Sequence, residues 1–160
     1  GHELAPQKGD DLGARMAAAF EDAFTSCATG AVALIGSDAP LLDGRSLSAA
    51  WELLERRDIA LAPSHDGGYC LVGARASVGP CVSALFDGMR WSASDVLAQT
   101  VDRAKALARR RPEVTCGILP MCYDINTPED VRRLEAHLRA LELAGQPLPR
   151  HTLEALRRLR

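Results

Sequence analysis

Ala31-Val32-Ala33-Leu34-Ile35-Gly36-Ser37-Asp38-Ala39-Pro40 is the stretch that decides the fold. Its first five residues are apolar without interruption, so both faces of a strand built from them would be buried, as in a central parallel strand. Gly36 to Pro40 then turns the chain. The turn puts an acid, Asp38, just past the carboxyl end of a buried strand, the rim where open α/β sheets bind their ligands. A capping role is the plainer reading of Asp38 in isolation, because Asp is common in turns.

Working outward, helices and strands alternate. Asp10 to Phe24 repeats Leu12, Met16, Phe20 and Phe24 at helical spacing, with Asp10 or Asp11 as cap. Ser46 is expected to cap a second helix carrying Leu47, Ala50, Trp51 and Leu54. Strands are expected at Ile59–Ala62 and Tyr69–Val72, joined by the polar loop Ser64-His65-Asp66-Gly67-Gly68. A third helix, capped by Ser92 or Ser94, presents Val96, Leu97, Thr100, Val101, Ala104 and Leu107. Val114 to Leu119 is the next strand. Thr127-Pro128-Glu129-Asp130 is a strong helix start, with a hydroxyl cap, Pro at the first helical position and acids in the first turn. Gly145 to Pro149 reads as a linker and Thr152 to Leu159 as a last basic helix. The order predicts an α/β fold, a mostly parallel sheet with helices on both faces.

Composition excludes several function classes. The chain has 160 residues, 19 Lys+Arg against 21 Asp+Glu and a net charge of −2. That balance argues against nucleic acid as a partner. Hydrophobic residues at 47% and charged residues at 25% are ordinary for a globular domain and exclude global disorder. No apolar run approaches the roughly 20 residues of a membrane span, and no signal peptide is visible. The five cysteines, at 27, 70, 81, 116 and 122, form no C-x-x-C and lie mostly in apolar segments. They are expected to be buried free thiols in a reducing cytoplasm.

Four places carry candidate chemistry. Asp38 is the first. Asp124 is the second, again after an expected strand and before a well-capped helix; two acids at two strand ends suit Mg²⁺, which prefers oxygen. The alternative for Asp124 is a loop acid favoured by the helix N-terminus. The third is Asp66-Gly67-Gly68-Tyr69, whose glycines would let a ligand approach the backbone, or which is simply a hairpin turn. The fourth is Trp91, on a loop before a helix, placed either to stack on a sugar or to plug the sheet edge. His137, His151 and the Arg109–Arg111 run read as solvated.

Taken in order, "QKGDDLGARMAAAF", "VALIGSDAPLL", "APSHDGGYCLVG", "FDGMRWSASDVLAQT" and "YDINTPEDVRRL" resemble a family of bacterial glycosyltransferase-like proteins, the radical-SAM/selenodomain-associated transferases. The resemblance runs from Gln7 to Leu134. It implies a GT-A-like, Rossmann-like fold related to the nucleotide-diphospho-sugar transferases. That fold is also similar to nucleotidyltransferases that make molybdenum-cofactor dinucleotides and deazaflavin-cofactor precursors. The implied activity is transfer from a nucleotide-activated donor, a sugar or a nucleotidyl group, to a small-molecule acceptor. Asp38 and Asp124 would hold Mg²⁺ or Mn²⁺ and Asp66 would orient or deprotonate the acceptor. Ser37, Gly67, Gly68, Tyr69 and Trp91 would contact substrate. Family members begin with a strand, a phosphate loop and a helix that have no counterpart here. The domain, residues 1–144 followed by a linker and helix at 145–160, is therefore expected to be N-terminally incomplete. That expectation opens two others: a non-catalytic module that binds or assembles, and an open edge at Ala31–Ile35 that pairs with a second copy, a missing segment or another polypeptide.

Overall fold

The computed structural model describes residues 4–26 and 29–159. Helix α1 (Leu12–Ser26) starts where Asp11 Oδ1 accepts the amide of Ala14 at 2.8 Å, and leads into strand β1 (Ala31–Ile35). Helix α2 (Gly44–Leu54) is capped by Asp43, not Ser46. Asp43 Oδ1 accepts both the amide and the hydroxyl of Ser46 at 2.9 Å, so the helix begins earlier than expected. The backbone amide of Ser46 holds the Asp43 carboxyl below its usual pKa.

Strand β2 (Ile59–Pro63) returns through Ser64–Gly68 into β3 (Tyr69–Arg75), longer than expected. A 3-10 segment at Ala76–Leu85, absent from the sequence expectation, follows. Helix α3 (Val96–Arg110) has Asp95 rather than Ser92 or Ser94 at its cap position, without a side-chain capping bond. Strand β4 is short, Cys116–Ile118. Helix α4 (Pro128–Leu143) carries the expected capping box between Thr127 and Asp130, and α5 (Arg150–Arg158) ends the described chain.

The sheet order is β1-β3-β2-β4. β3 is antiparallel to both β1 and β2, while β2 and β4 are parallel. The sheet is therefore mixed rather than mostly parallel. The cause is the short Ser64–Gly68 connection, because parallel neighbours need a crossover of a dozen or more residues. β1, β2 and β4 nevertheless share one direction. Their carboxyl ends, and the amino end of β3, meet at one rim.

Side-chain alternation along β2 divides the core. Ile59 and Leu61 face a large cluster with Phe20, Val72, Val78, Leu85, Phe86 and Leu107, covered by α1, the 3-10 segment and α3. Ala62 faces a smaller cluster with Ala50, Leu71 and Leu119 under α2. At the amino end of β2, Asp58 ties in β4's lead-in: its Oδ2 accepts the amide and hydroxyl of Thr115 at 2.9 and 2.8 Å, and its Oδ1 the Ser77 hydroxyl. β1 is an edge strand, with β3 on one side and Ile35 53% exposed.

Two cysteines depart from the free-thiol expectation. Cys70 and Cys122 form a disulfide, with Cα atoms 6.6 Å apart and a sequence separation of 52. They meet because the start of β3 and the segment after β4 flank the same end of β2. Cys81 is half-buried and Cys116 exposed, both free; Cys27 lies outside the described residues. A reducing compartment thus loses the support that free thiols gave it.

Candidate functional site

The rim of the sheet gathers the loops that follow β1, β2 and β4. Asp38 is exposed on the first loop. A side chain at Gly36 would put its Cβ 2.7 Å from Asp38 Oδ1, so the missing side chain is what lets that carboxylate fold back beside the strand end. The third loop carries Asp124, half-buried. The two loops are joined directly: the amide of Ile125 donates to the carbonyl of Asp38 at 2.9 Å.

Both oxygens of Asp124 are held. Oδ1 accepts the Ser64 hydroxyl at 2.7 Å and Oδ2 accepts the Asn126 side-chain amide at 2.7 Å. Ser64 is only 4% exposed and pairs with Cys122 in an isolated parallel bridge. The amide of His65 donates to the carbonyl of Cys122 at 3.2 Å, and that of Cys122 to Pro63 at 2.9 Å. The amide of Gly36 donates to the carbonyl of Cys70 at 2.9 Å, so the disulfide links the supports of both acid-bearing loops. Ser64 and Asn126 were not singled out by the sequence reading. Their signal was position alone, one closing a strand and the other two residues past an acid.

Asp66 is exposed in the turn between β2 and β3, where its Oδ1 accepts the amide of Gly68 at 3.0 Å. Gly67 has φ +92° and its added Cβ would lie 1.9 Å from the Ser94 carbonyl oxygen, so only glycine fits. Its own carbonyl accepts the Leu97 amide at 2.8 Å, fixing the turn to α3. Ser37 is exposed beside Asp38. Tyr69 and Trp91 pack against the large core cluster. Trp91 sits on Phe86, with ring centroids 6.5 Å apart, and close to Gly13. The Tyr69 hydroxyl is buried, which raises its pKa.

A cavity of about 370 Å³ opens at the same end of the sheet, between α2 and the segment joining β4 to α4. Leu41, Leu42, Ala49, Leu119 and Met121 supply apolar wall; Arg45, Ser46, Tyr123 and His137 supply polar groups. The Tyr123 hydroxyl and His137 Nδ1 share a hydrogen bond of 3.1 Å, and burial raises the Tyr123 pKa. Asp66, Gly67, Gly68, Tyr69 and Trp91 are not part of this lining. Among the described residues, no three His, Cys, Asp or Glu side chains cluster as metal ligands. Asp38 and Asp124 are two carboxylates on loops joined by the Ile125–Asp38 bond, fewer than a protein-only metal site needs, so a cation there would draw on substrate oxygens to complete its shell.

A mixed α/β sheet with acid-bearing loops at its carboxyl rim is the class that fold and site define. The model of the family described as "Uncharacterized protein conserved in bacteria (DUF2064)" matches residues 1–93, more than half of the chain, and the chain belongs to that family. Asp38, Ser64 and Asp66 fall within the matched residues, and Asp124 beyond them. A crystal structure from Desulfovibrio desulfuricans G20, named "putative nucleotide-diphospho-sugar transferase", is 36% identical with a TM-score of 0.65. The match covers 76% of this chain and 49% of that chain, so this chain spans about half the length of that relative. No curated protein matches. Among the described residues, no helix is long and apolar enough to cross a membrane.

Proposed function

We propose that this chain belongs to a transferase acting on a nucleotide-activated donor, a nucleotide-diphospho-sugar, with Asp38 and Asp124 facing its diphosphate through a divalent cation. The observation that carries this reading is the Ile125–Asp38 hydrogen bond of 2.9 Å, which draws two acid-bearing loops from separate strand ends together. The name of the 36% identical structure supports the donor class. Mg²⁺ or Mn²⁺, when bound, supplies neutralisation of the charge that develops on the leaving diphosphate.

The chain's own residues do the rest. Ser64 and Asn126 fix the orientation of the Asp124 carboxylate through two donated hydrogen bonds. Asp66, exposed at the same rim, takes the acceptor hydroxyl proton. Ser37, exposed beside Asp38, and Gly68 contact substrate there, while Gly67, packed against Ser94 and bonded to Leu97, shapes the turn that carries Asp66. In the transfer, the acceptor oxygen bonds to the sugar's anomeric carbon as that carbon's bond to the diphosphate oxygen breaks. The nucleoside diphosphate leaves with the bonding pair.

Calorimetric titration with UDP- and GDP-sugars, with and without Mn²⁺, tests the reading. Metal-dependent heat that Asp38→Asn removes without altering the melting curve is the expected result. Heat that is absent with both donors, or indifferent to Mn²⁺, overturns it.

A further inference from the structure

The 370 Å³ cavity lies within the usual size range of small-molecule sites. Its walls run into both acid loops. Leu41 and Leu42 shortly follow Asp38, with the Leu42 amide donating to the Ala39 carbonyl at 3.0 Å, and Tyr123 immediately precedes Asp124. A molecule seated there has one end beside the site at which transfer is proposed.

The lining dictates what such a molecule is made of. A free sugar presents a hydroxyl on nearly every carbon, and each one buried without a partner costs free energy. Leu42, Ala49, Leu119 and Met121 provide none. The polar groups are few: the Arg45 guanidinium, which only donates, the Ser46 hydroxyl, and the Tyr123–His137 pair. This suits a ligand with an extended apolar body and a single oxygen function. Met121, 68% exposed, leaves an apolar side chain at the mouth over which such a body can enter.

We infer that this cavity is the acceptor site and that the acceptor is an alcohol with an apolar body rather than a free sugar. The inference rests on the transferase reading above and names the substrate class for it. The apolar body lies between α2 and the Leu119–Tyr123 segment, and the hydroxyl emerges from the cavity at the carboxyl rim that carries Asp38, Asp124 and, outside the cavity lining, Asp66.

Saturation-transfer NMR on the whole chain tests this with 1-octanol and benzyl alcohol as probes and glucose as control, in buffer without nucleotide or metal. Both alcohols should give saturable signals and glucose none. Ala49→Trp, which fills the cavity, and Met121→Asp, which charges its mouth with little risk to folding, should each weaken alcohol binding about tenfold or more, with unchanged circular dichroism. Absence of alcohol binding, stronger binding of glucose, or alcohol binding indifferent to Met121→Asp overturns the inference. Because the assay contains no donor and no cation, its failure leaves the metal-dependent donor reading standing. Failure of donor binding leaves an alcohol result in place.

Discussion

The amide of Ile125 donates to the carbonyl of Asp38 at 2.9 Å, although the two residues lie on loops that leave different strands. This bond fixes the spacing of the Asp38 and Asp124 backbones. Neither carboxylate is needed to make it. Substituting either acid can therefore change what the rim binds while the loops stay joined.

Ser64→Ala removes the buried donor to Asp124 Oδ1. The loss of one hydrogen bond to a charged group is expected to cost about 1.5–3 kcal/mol, read from the urea midpoint. Ser64→Thr, which keeps the hydroxyl, should recover part of it. A Ser64→Ala protein as stable as the parent would mean that water replaces the bond without loss.

Asp58 predicts a pH dependence. Burial alone would raise its pKa, but hydrogen bonds from Thr115 and Ser77 outweigh this and hold it below the usual carboxylate range. A depressed folded-state pKa contributes stability that is present above the unfolded value and lost as pH falls through the folded one. Stability should therefore decline below about pH 4, and Asp58→Asn should flatten that decline. Urea melts at pH 5 and pH 3 decide it; equal pH slopes in parent and variant would remove Asp58 from the account.

The Cys70–Cys122 bridge closes a separation of 52 residues. On the chain-entropy estimate its reduction costs up to about 4 kcal/mol, so dithiothreitol should lower the melting temperature of the parent and leave Cys70→Ala/Cys122→Ala unmoved. An unchanged parent melt, with alkylation confirming reduction, would contradict the estimate.

Much of this architecture is legible in the chain. The apolar run Ala31–Ile35 followed by Gly36-Ser37-Asp38 marks a strand ending at a rim, and Thr127-Pro128-Glu129-Asp130 marks a capped helix start. The antiparallel insertion of β3 was also written there, in a connection at Ser64–Gly68 too short for a crossover, but doubly apolar strands weighed more heavily and suggested parallel neighbours. The Cys70–Cys122 pairing and the Ser64–Asp124 bond were out of reach. Both join residues far apart in sequence, and only the strand order brings them together. Trp91 offered two fates, and it packs on Phe86 in the core cluster.

Among the described residues β1 pairs only with β3, and its other side predicts association. An unpaired strand edge recruits partners, and Ile35 exposes an apolar side chain at its end. Size-exclusion with light scattering should show concentration-dependent self-association that Ile35→Lys reduces. A monodisperse monomer at high concentration would contradict the prediction.

Electron paramagnetic resonance of Mn²⁺ tests the central claim most directly, because the free ion's six-line signal shrinks as it binds. With a nucleoside diphosphate present, the parent should sequester about one Mn²⁺ per chain, a count that follows from a single pair of carboxylates completed by phosphate oxygens. Asp38→Asn and Asp124→Asn should each abolish this while keeping the parent's circular dichroism. Equal Mn²⁺ uptake by the parent and both variants would show that the two acids do not form a metal site.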